Sequence, residues 1–233
     1  MFDKRNINVI DFQTIDSTNL ELKRRNAPAG TVVTALNQSN GRGRLGRSFS
    51  SPSGGLYISF CIEMDSSMTA TAKAAVAVSH AAEEAFGIDL KIKWLNDLTL
   101  DGRKVCGILA EAMGDRMIIG IGVNVCTPSE AFPPELRNTA GSLFNSGAPE
   151  NAVQLFKQSL IRCFFDDIDS DCLSAYRSRL ATIGQNVNVI QAGQTLYQGI
   201  ASGLTDDYHL LVRTQDGEVH EIRTGEVTIR NAL

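Results

Sequence analysis

The sequence predicts an α+β protein in two parts, a larger region mixing helices with strands and a small all-β tail. Three observations carry this. Helical segments interleave with short β-branched runs up to Gly184, a three-strand meander occupies the middle of that region, and beyond Gly184 the chain turns to closely spaced alternating strands. A chain of 233 residues with 43% apolar content can fill one large core and a small appendage. The expected boundary divides it into 1–183 and 184–233. The alternative is a tail that only pads the main sheet.

Asn8 to Phe12 reads as a first strand. Asp16-Ser17-Thr18 offers several N-cap oxygens, and Thr18 with Glu21 makes a capping box opening a helix through Arg25. Thr31 to Leu36 and Leu56 to Ile62 are strands rich in β-branched and aromatic residues. Thr69 to Phe86 is alanine-rich with Gly87 behind it, a helix whose small side chains suit close packing on a sheet. Leu90 to Trp94, Lys104 to Ala112 and Met117 to Val125 are the meander, with a turn at Gly114-Asp115. Pro149 and Glu150 open a second helix, with apolar positions at Val153, Phe156, Leu160, Ile161, Phe164 and Phe165, and a third is expected from Asp171 to about Ile183. The tail strands are Val187 to Ile190, Thr195 to Ser202, His209 to Thr214, Val219 to Arg223 and Val227 to Ile229, a small β-barrel or sandwich.

Between two of these strands lies Gly41-Arg42-Gly43-Arg44-Leu45-Gly46-Arg47, three arginines and three glycines in seven residues. Guanidinium forks grip phosphate oxygens in pairs, and glycines let the backbone approach the same oxygens. The segment satisfies G-x-G-x-x-G, but a dinucleotide fold needs a helix after it, and here a turn-rich stretch leads into a strand. A kinase would also need His-Arg-Asp and Asp-Phe-Gly, and neither triplet occurs. With 22 Lys and Arg against 26 Asp and Glu, the chain carries a net charge of −4, so the loop is a basic knot on an acidic background and the broad cationic face of a nucleic-acid binder is missing.

No apolar run reaches membrane-span length, and Met1 to Asn6 lacks an apolar signal core, so a cytoplasmic protein is expected. Cys61, Cys106, Cys126, Cys163 and Cys172 are odd in number and widely spaced, which suits reduced core thiols; with His80, His209 and His220 apart from them, no metal site is expected. A second cationic cluster, Lys93-Trp94-Leu95-Asn96-Asp97 followed by Arg103-Lys104-Val105-Cys106-Gly107, places lysines, an Asn and an Asp on either side of one turn, where paired strand ends can converge on a ligand.

On these residues the chain resembles the biotin-protein ligases. The blocks are Ser17-Thr18-Asn19; Gln38 with Gly41 to Arg47; Lys93 to Asp97 with Lys104 to Leu109; Gly120-Ile121-Gly122-Val123-Asn124-Val125; and Gly225-Glu226-Val227-Thr228-Ile229-Arg230. The family usually has proline where this chain has Leu95, and often tryptophan where it has Phe49. The resemblance implies a catalytic domain like that of class II aminoacyl-tRNA synthetases, a mixed sheet with helices, followed by an SH3-like β-barrel. It also implies ATP-dependent activation of biotin as biotinyl-5'-AMP, then transfer to a lysine of a biotin carboxyl carrier protein of acetyl-CoA carboxylase, with Mg²⁺ accompanying ATP. With sixteen residues preceding Ser17, the DNA-binding domain that some members carry is not expected here.

By the same resemblance, Ser17, Thr18, Asn19, Gln38, Arg42, Gly43, Arg44 and Lys104 would hold biotin. Arg42, Arg44, Arg47, Phe49, Lys93, Asn96 and Asn124 would face ATP and the adenylate, and Arg44, Lys104 and Asp97 would be catalytic. Asp97 would either take a proton from the incoming lysine or help place Mg²⁺. The rival is a lipoate-protein ligase or related acyl transferase on the same fold, and a homodimer through an exposed sheet edge is left open.

Overall fold

The structure is a computed structural model that describes residues 7–64, 66–191, 193–223 and 226–229; Met1 to Asn6, Gly225 and Arg230 lie outside the described residues. In chain order the larger region runs β1 (Asn8–Ile15), α1 (Thr18–Arg24), β2 (Thr31–Gln38), β3 (Gly55–Ile62), α2 (Ser67–Phe86), β4 (Lys91–Lys93), β5 (Asp97–Leu100), β6 (Arg103–Met113), β7 (Arg116–Asn124), α3 (Ala152–Asp167) and α4 (Leu173–Arg179). The tail follows as β8 (Asn186–Gln191), β9 (Gln194–Leu204), β10 (Leu210–Thr214), β11 (Val219–Ile222) and β12 (Glu226–Ile229).

Strands β1 to β7 form one mixed sheet in the order β1-β2-β3-β7-β6-β5-β4, parallel between β1 and β2 and antiparallel elsewhere. Period-two alternation divides its two faces by chemistry. On one, Leu56, Ile58 and Phe60 of β3, Ile119, Ile121 and Val123 of β7, and Cys106 and Ile108 of β6 are buried. Helix α2 covers them, its Ala70, Ala74, Ala75, Ala77, Ala81 and Ala82 buried because methyl-sized side chains let the helix axis approach the strands. Helix α3 packs alongside, and Phe164 stacks on Phe60 with ring centroids 3.7 Å apart.

The opposite face carries Ser59 of β3, Gly120 and Gly122 of β7, and Gly107 and Leu109 of β6, aligned in rows by the registers Ser59↔Gly120↔Leu109 and Tyr57↔Gly122↔Gly107. With few side chains to fill it, this face leaves a hollow beneath α1 and the arginine loop.

The tail is a second, five-stranded antiparallel sheet in the order β11-β10-β9-β8-β12. Its Val187, Val189, Leu210, Val212 and Val227 join the same buried cluster as the main sheet. Among the described residues, no helix is long and apolar enough to cross a membrane.

Local differences from the sequence-based expectations have identifiable causes. The N-cap of α1 is Ser17, whose Oγ accepts from Leu20 N at 3.4 Å; Glu21 turns instead to Arg24 and Arg25, so the Thr18–Glu21 capping box is not formed. The strand expected at Leu90 to Trp94 is only Lys91–Lys93, and Asp97–Leu100 is an additional strand, so Lys93 and Lys104 are separated by two hairpins and not one turn. Helix α3 begins at Ala152, two residues beyond the Pro149-Glu150 opening, and α4 ends at Arg179, where the chain extends to bridge Leu180 to Ile92 of β4. Burial raises the thiols of Cys61, Cys106, Cys163 and Cys172 above their ordinary value, as expected of core cysteines.

Candidate active site

The hollow on the glycine-lined face is a cleft of about 220 Å³, and Ser17, Thr18, Asn19, Gln38, Arg42, Gly43, Arg44, Arg47, Phe49, Lys93, Asn96, Asp97 and Lys104 all line it. Residues as distant in sequence as Ser17 and Lys104 therefore meet because β2, β3, β7 and β6 are neighbours in space while being out of order in sequence. Of the predicted site residues, only Asn124 does not line the cleft. It sits at the end of β7 on the same face as Gly120 and Gly122, is 4% exposed, and donates from Nδ2 to Gly141 O at 2.9 Å. Its Oδ1 is buried with no hydrogen-bond partner among the described residues.

One end of the cleft is a buried network of neutral hydrogen-bonding groups. Gln38 Oε1 accepts from Thr18 N at 2.9 Å and Thr18 Oγ1 at 3.1 Å, while Gln38 Nε2 donates to Ser51 Oγ at 2.9 Å. Ser59 Oγ, fully buried, lies 2.7 Å from Thr18 Oγ1 and 2.6 Å from Asn19 Oδ1. Such a lining suits an uncharged ligand with many donors and acceptors, because a ligand lacking them would leave buried groups unpaired.

The arginine loop is a small closed hairpin. Phe49 N donates to Gly41 O at 2.9 Å, Gly43 N to Arg47 O at 2.7 Å and Arg47 N to Arg44 O at 3.1 Å. At its tip Leu45 and Gly46 take positive φ angles of 55° and 75°, which turns the chain sharply enough to keep the flanking arginines facing the cleft. Arg44 Nη1 donates to Asn96 Oδ1 at 2.9 Å, so the loop is tied to the β4–β5 turn.

Opposite the loop, Lys104 Nζ lies 2.6 Å from Asp97 Oδ1, and Asn96 Nδ2 donates to the same oxygen at 3.2 Å. Adjacent hairpins bring these groups together, with Lys93 opposite Asp97 and Thr99 opposite Lys104. The Trp94–Leu95 peptide within this turn is cis. The turn is held from behind: Trp94 N donates to Thr182 Oγ1 at 2.9 Å, Trp94 Nε1 to Tyr208 O at 2.8 Å and Tyr176 Oη to Leu95 O at 3.1 Å. Helix α4, the segment after it and the β9–β10 turn thus buttress the cleft, and Val227 and Thr228 of β12 line it directly.

Between the neutral and cationic ends, the Phe49 ring lies on Gly107 and Gly122. A Cβ at Gly107 would stand 2.9 Å from Phe49 Cε2, and one at Gly122 would overlap the ring more severely. Lys104 Nζ is 6.0 Å from the ring centroid.

Among the described residues, no three His, Cys, Asp or Glu side chains converge as metal ligands. Among the described residues Asp97 is the one carboxylate lining the cleft, and it is engaged by Lys104, so the described lining does not make a resident Mg²⁺ cage. Mg²⁺ characteristically binds through one or two carboxylates and substrate phosphates, and the donor set here fits an ion that arrives on a polyphosphate.

Ser48, Trp94, Ile108 and Leu109 of the lining, the buried Ser59 and the carboxylate of Glu111 were not singled out by the sequence reading. For Gly120 and Gly122 a signal was present, since Gly120-Ile121-Gly122-Val123 alternates with period two and predicts a strand with one bare face.

The sequence profile of the Biotin/lipoate A/B protein ligase family matches residues 9–124, and that of the Biotin protein ligase C terminal domain matches residues 182–230. A bifunctional ligase/repressor BirA from Bacillus spizizenii is 35% identical over 214 residues, 84% of this chain and 66% of that protein, so the chain spans just under two thirds of that relative's length. A biotin--[acetyl-CoA-carboxylase] ligase from Paracoccus denitrificans is 29% identical over 87% of this chain and 92% of its own. A biotin protein ligase from Aquifex aeolicus in complex with biotin and ATP superposes with a TM-score of 0.81 at 29% identity, covering 97% of this chain and 99% of that one.

Proposed function

Because the chain belongs to the Biotin/lipoate A/B protein ligase family, we propose that it activates biotin with ATP as biotinyl-5'-AMP and transfers the biotinyl group to a lysine of a biotin carboxyl carrier protein. The observation that carries this reading is one continuous cleft with a neutral hydrogen-bonding end at Thr18, Asn19 and Gln38 and a cationic end at Arg42, Arg44, Arg47 and Lys104. Biotin's ureido ring matches the first and its carboxylate, meeting the α-phosphate, matches the second. The similarity to the Paracoccus biotin--[acetyl-CoA-carboxylase] ligase and to the Aquifex biotin protein ligase in complex with biotin and ATP supports the same substrate class.

In the first step a carboxylate oxygen of biotin attacks the α-phosphorus of ATP, forming the mixed anhydride and expelling pyrophosphate. In the second, the acceptor lysine's amine attacks the anhydride carbonyl, AMP departs and the amine loses a proton. Neither step needs a covalent nucleophile from the protein. Lys104 and the arginines stabilise charge developing on phosphate and acyl oxygens, where prepositioned donors lower the barrier most. Asp97, 2.6 Å from Lys104 Nζ, holds that ammonium in place and is the base within reach of an amine entering beside it. Phe49 and Asn96 take the nucleotide side, while Asn124, outside the lining, would act there only through the Gly141 backbone that it holds. Residues 184–233 are assigned to a separate SH3-like unit that braces the Lys93–Asp97 turn, and the larger region to the class II synthetase-like type.

The test is to incubate the protein with ATP, Mg²⁺ and either biotin or lipoate and to detect the acyl-adenylate and pyrophosphate. Biotinyl-adenylate alone is expected. Lipoyl-adenylate as the preferred product would overturn the substrate assignment, and no adenylate from either acid would overturn the reaction.

A further inference from the structure

Beside the cleft, one carboxylate ties together two segments that otherwise touch the ligand from different sides. Glu111 Oε2 accepts from Asn19 Nδ2 at 2.7 Å, while its Oε1 lies 2.7 Å from Lys23 Nζ and 3.3 Å from Arg42 Nη2. Asn19 and Lys23 are one turn apart on α1, and Arg42 opens the arginine loop. Glu111 itself stands on β6 opposite Ile118, on the glycine-lined face.

The chemistry of the contacts is directional. An ionised carboxylate only accepts, so it compels Asn19 to turn its amide nitrogen toward Glu111 and its Oδ1 toward the buried Ser59 Oγ. Burial of the Glu111 carboxyl opposes ionisation, but the bonds from Asn19 and Lys23 and the charges of Lys23 and Arg42 outweigh it and hold the group below its ordinary range. The apolar cluster of Leu22, Cys61 and Ile118 lies on the same face, so packing alone would be served there by a hydrocarbon side chain.

Resting on the ligase reading above, we propose that Glu111 is a positioning residue. Its carboxylate orients Asn19 at the neutral end and, through Arg42, latches the arginine loop across the cleft, so that recognition of the vitamin's head and retention of the adenylate act through one side chain. Glu111 touches no reacting atom; it works through Asn19 and Arg42.

Three variants test this: Glu111→Gln, which keeps an acceptor for Asn19 but removes the charge, Arg42→Gln at a side chain 40% exposed, and the double variant. Amide hydrogen exchange is followed without ligand, and the escape rate of biotinyl-adenylate with biotin, ATP and Mg²⁺. Loss of a charge-assisted bond at the base of the loop is expected to speed exchange of amides 41–49, and adenylate escape, about tenfold in each single variant, with α2 protection unchanged. The double variant is expected to match Arg42→Gln alone, because both substitutions break one link. Unchanged loop exchange in either single variant, or effects that multiply in the double variant, would overturn the proposal. Should Glu111→Gln lose protection throughout the molecule, the loop exchange of Arg42→Gln decides the matter by itself. If the wild-type chain makes no adenylate, the ligase reading falls, while the ligand-free exchange still decides the latch.

Discussion

Gly122 and Phe49 occupy one space: the aromatic ring lies where any side chain at position 122 would project, and the register partner Gly107 completes the flat floor beneath it. The bare strand face is therefore a seat for a planar group, with Lys104 at its edge.

From that relationship, Gly122→Ala should lift or turn the Phe49 ring without unfolding the chain, because the ring is only half-buried and can move outward. The KM for ATP in pyrophosphate release is expected to rise about tenfold, with stability changed by no more than about 1–2 kcal/mol. Wild-type ATP kinetics for this variant would show that the ring's seat has no part in nucleotide binding.

Gly120→Ala acts at the other end. Its Cβ would run into the Asn19 side chain, whose amide carbon stands 2.9 Å away and whose two ends are already held by Ser59 and Glu111. Asn19 is 4% exposed and cannot swing clear, so calorimetric titration should find biotin affinity reduced at least tenfold while ATP affinity changes little. An equal loss for both ligands would argue for a general distortion of the sheet.

Lys104→Ala removes the ammonium from the cationic end and leaves Asp97 without its counter-ion. Because Lys104 is 40% exposed on its side chain, the fold should persist. The rate of adenylate formation, measured as single-turnover pyrophosphate release, is expected to fall by about a hundredfold or more. A near wild-type rate would exclude Lys104 from the chemistry.

The pH dependence of stability follows from Glu111. Its folded pKa is depressed below the ordinary 4.5, so the folded state binds fewer protons there than the unfolded state. The stabilisation is complete above the ordinary carboxylate value and disappears as pH falls through the lower folded value. Thermal unfolding followed from pH 6 down to about pH 3 should therefore lose less stability in Glu111→Gln than in the wild type. Parallel curves for the two proteins would mean that the carboxylate contributes nothing through its charge.

Much of this protein was legible in the amino-acid order because the signals are local. A strand declares itself by alternation, as in Gly120-Ile121-Gly122-Val123; a helix stop by a left-handed glycine, as at Gly87 with φ 68°; a phosphate grip by arginines spaced with glycines. The resemblance carried by those motifs was sufficient to nominate thirteen side chains and one glycine for the site, and all except Asn124 line the cleft. Where two local options competed, sequence could not choose: Ser17 and Thr18 both can cap α1, and Thr18 is drawn to Gln38 instead.

What tertiary structure alone decided is the meeting of groups through a sheet whose strand order departs from chain order. Ser59 reads as an ordinary strand serine and Glu111 as a solvent-facing charge, until β3, β7 and β6 lie side by side beneath α1 and bring both against Asn19. The same holds for Thr182 and, in the tail, Tyr208: nothing in either predicts that they fix the backbone and indole of Trp94 behind the Asn96–Asp97 turn. Such contacts depend on long-range packing of separate elements, and no periodicity or spacing within a segment encodes them.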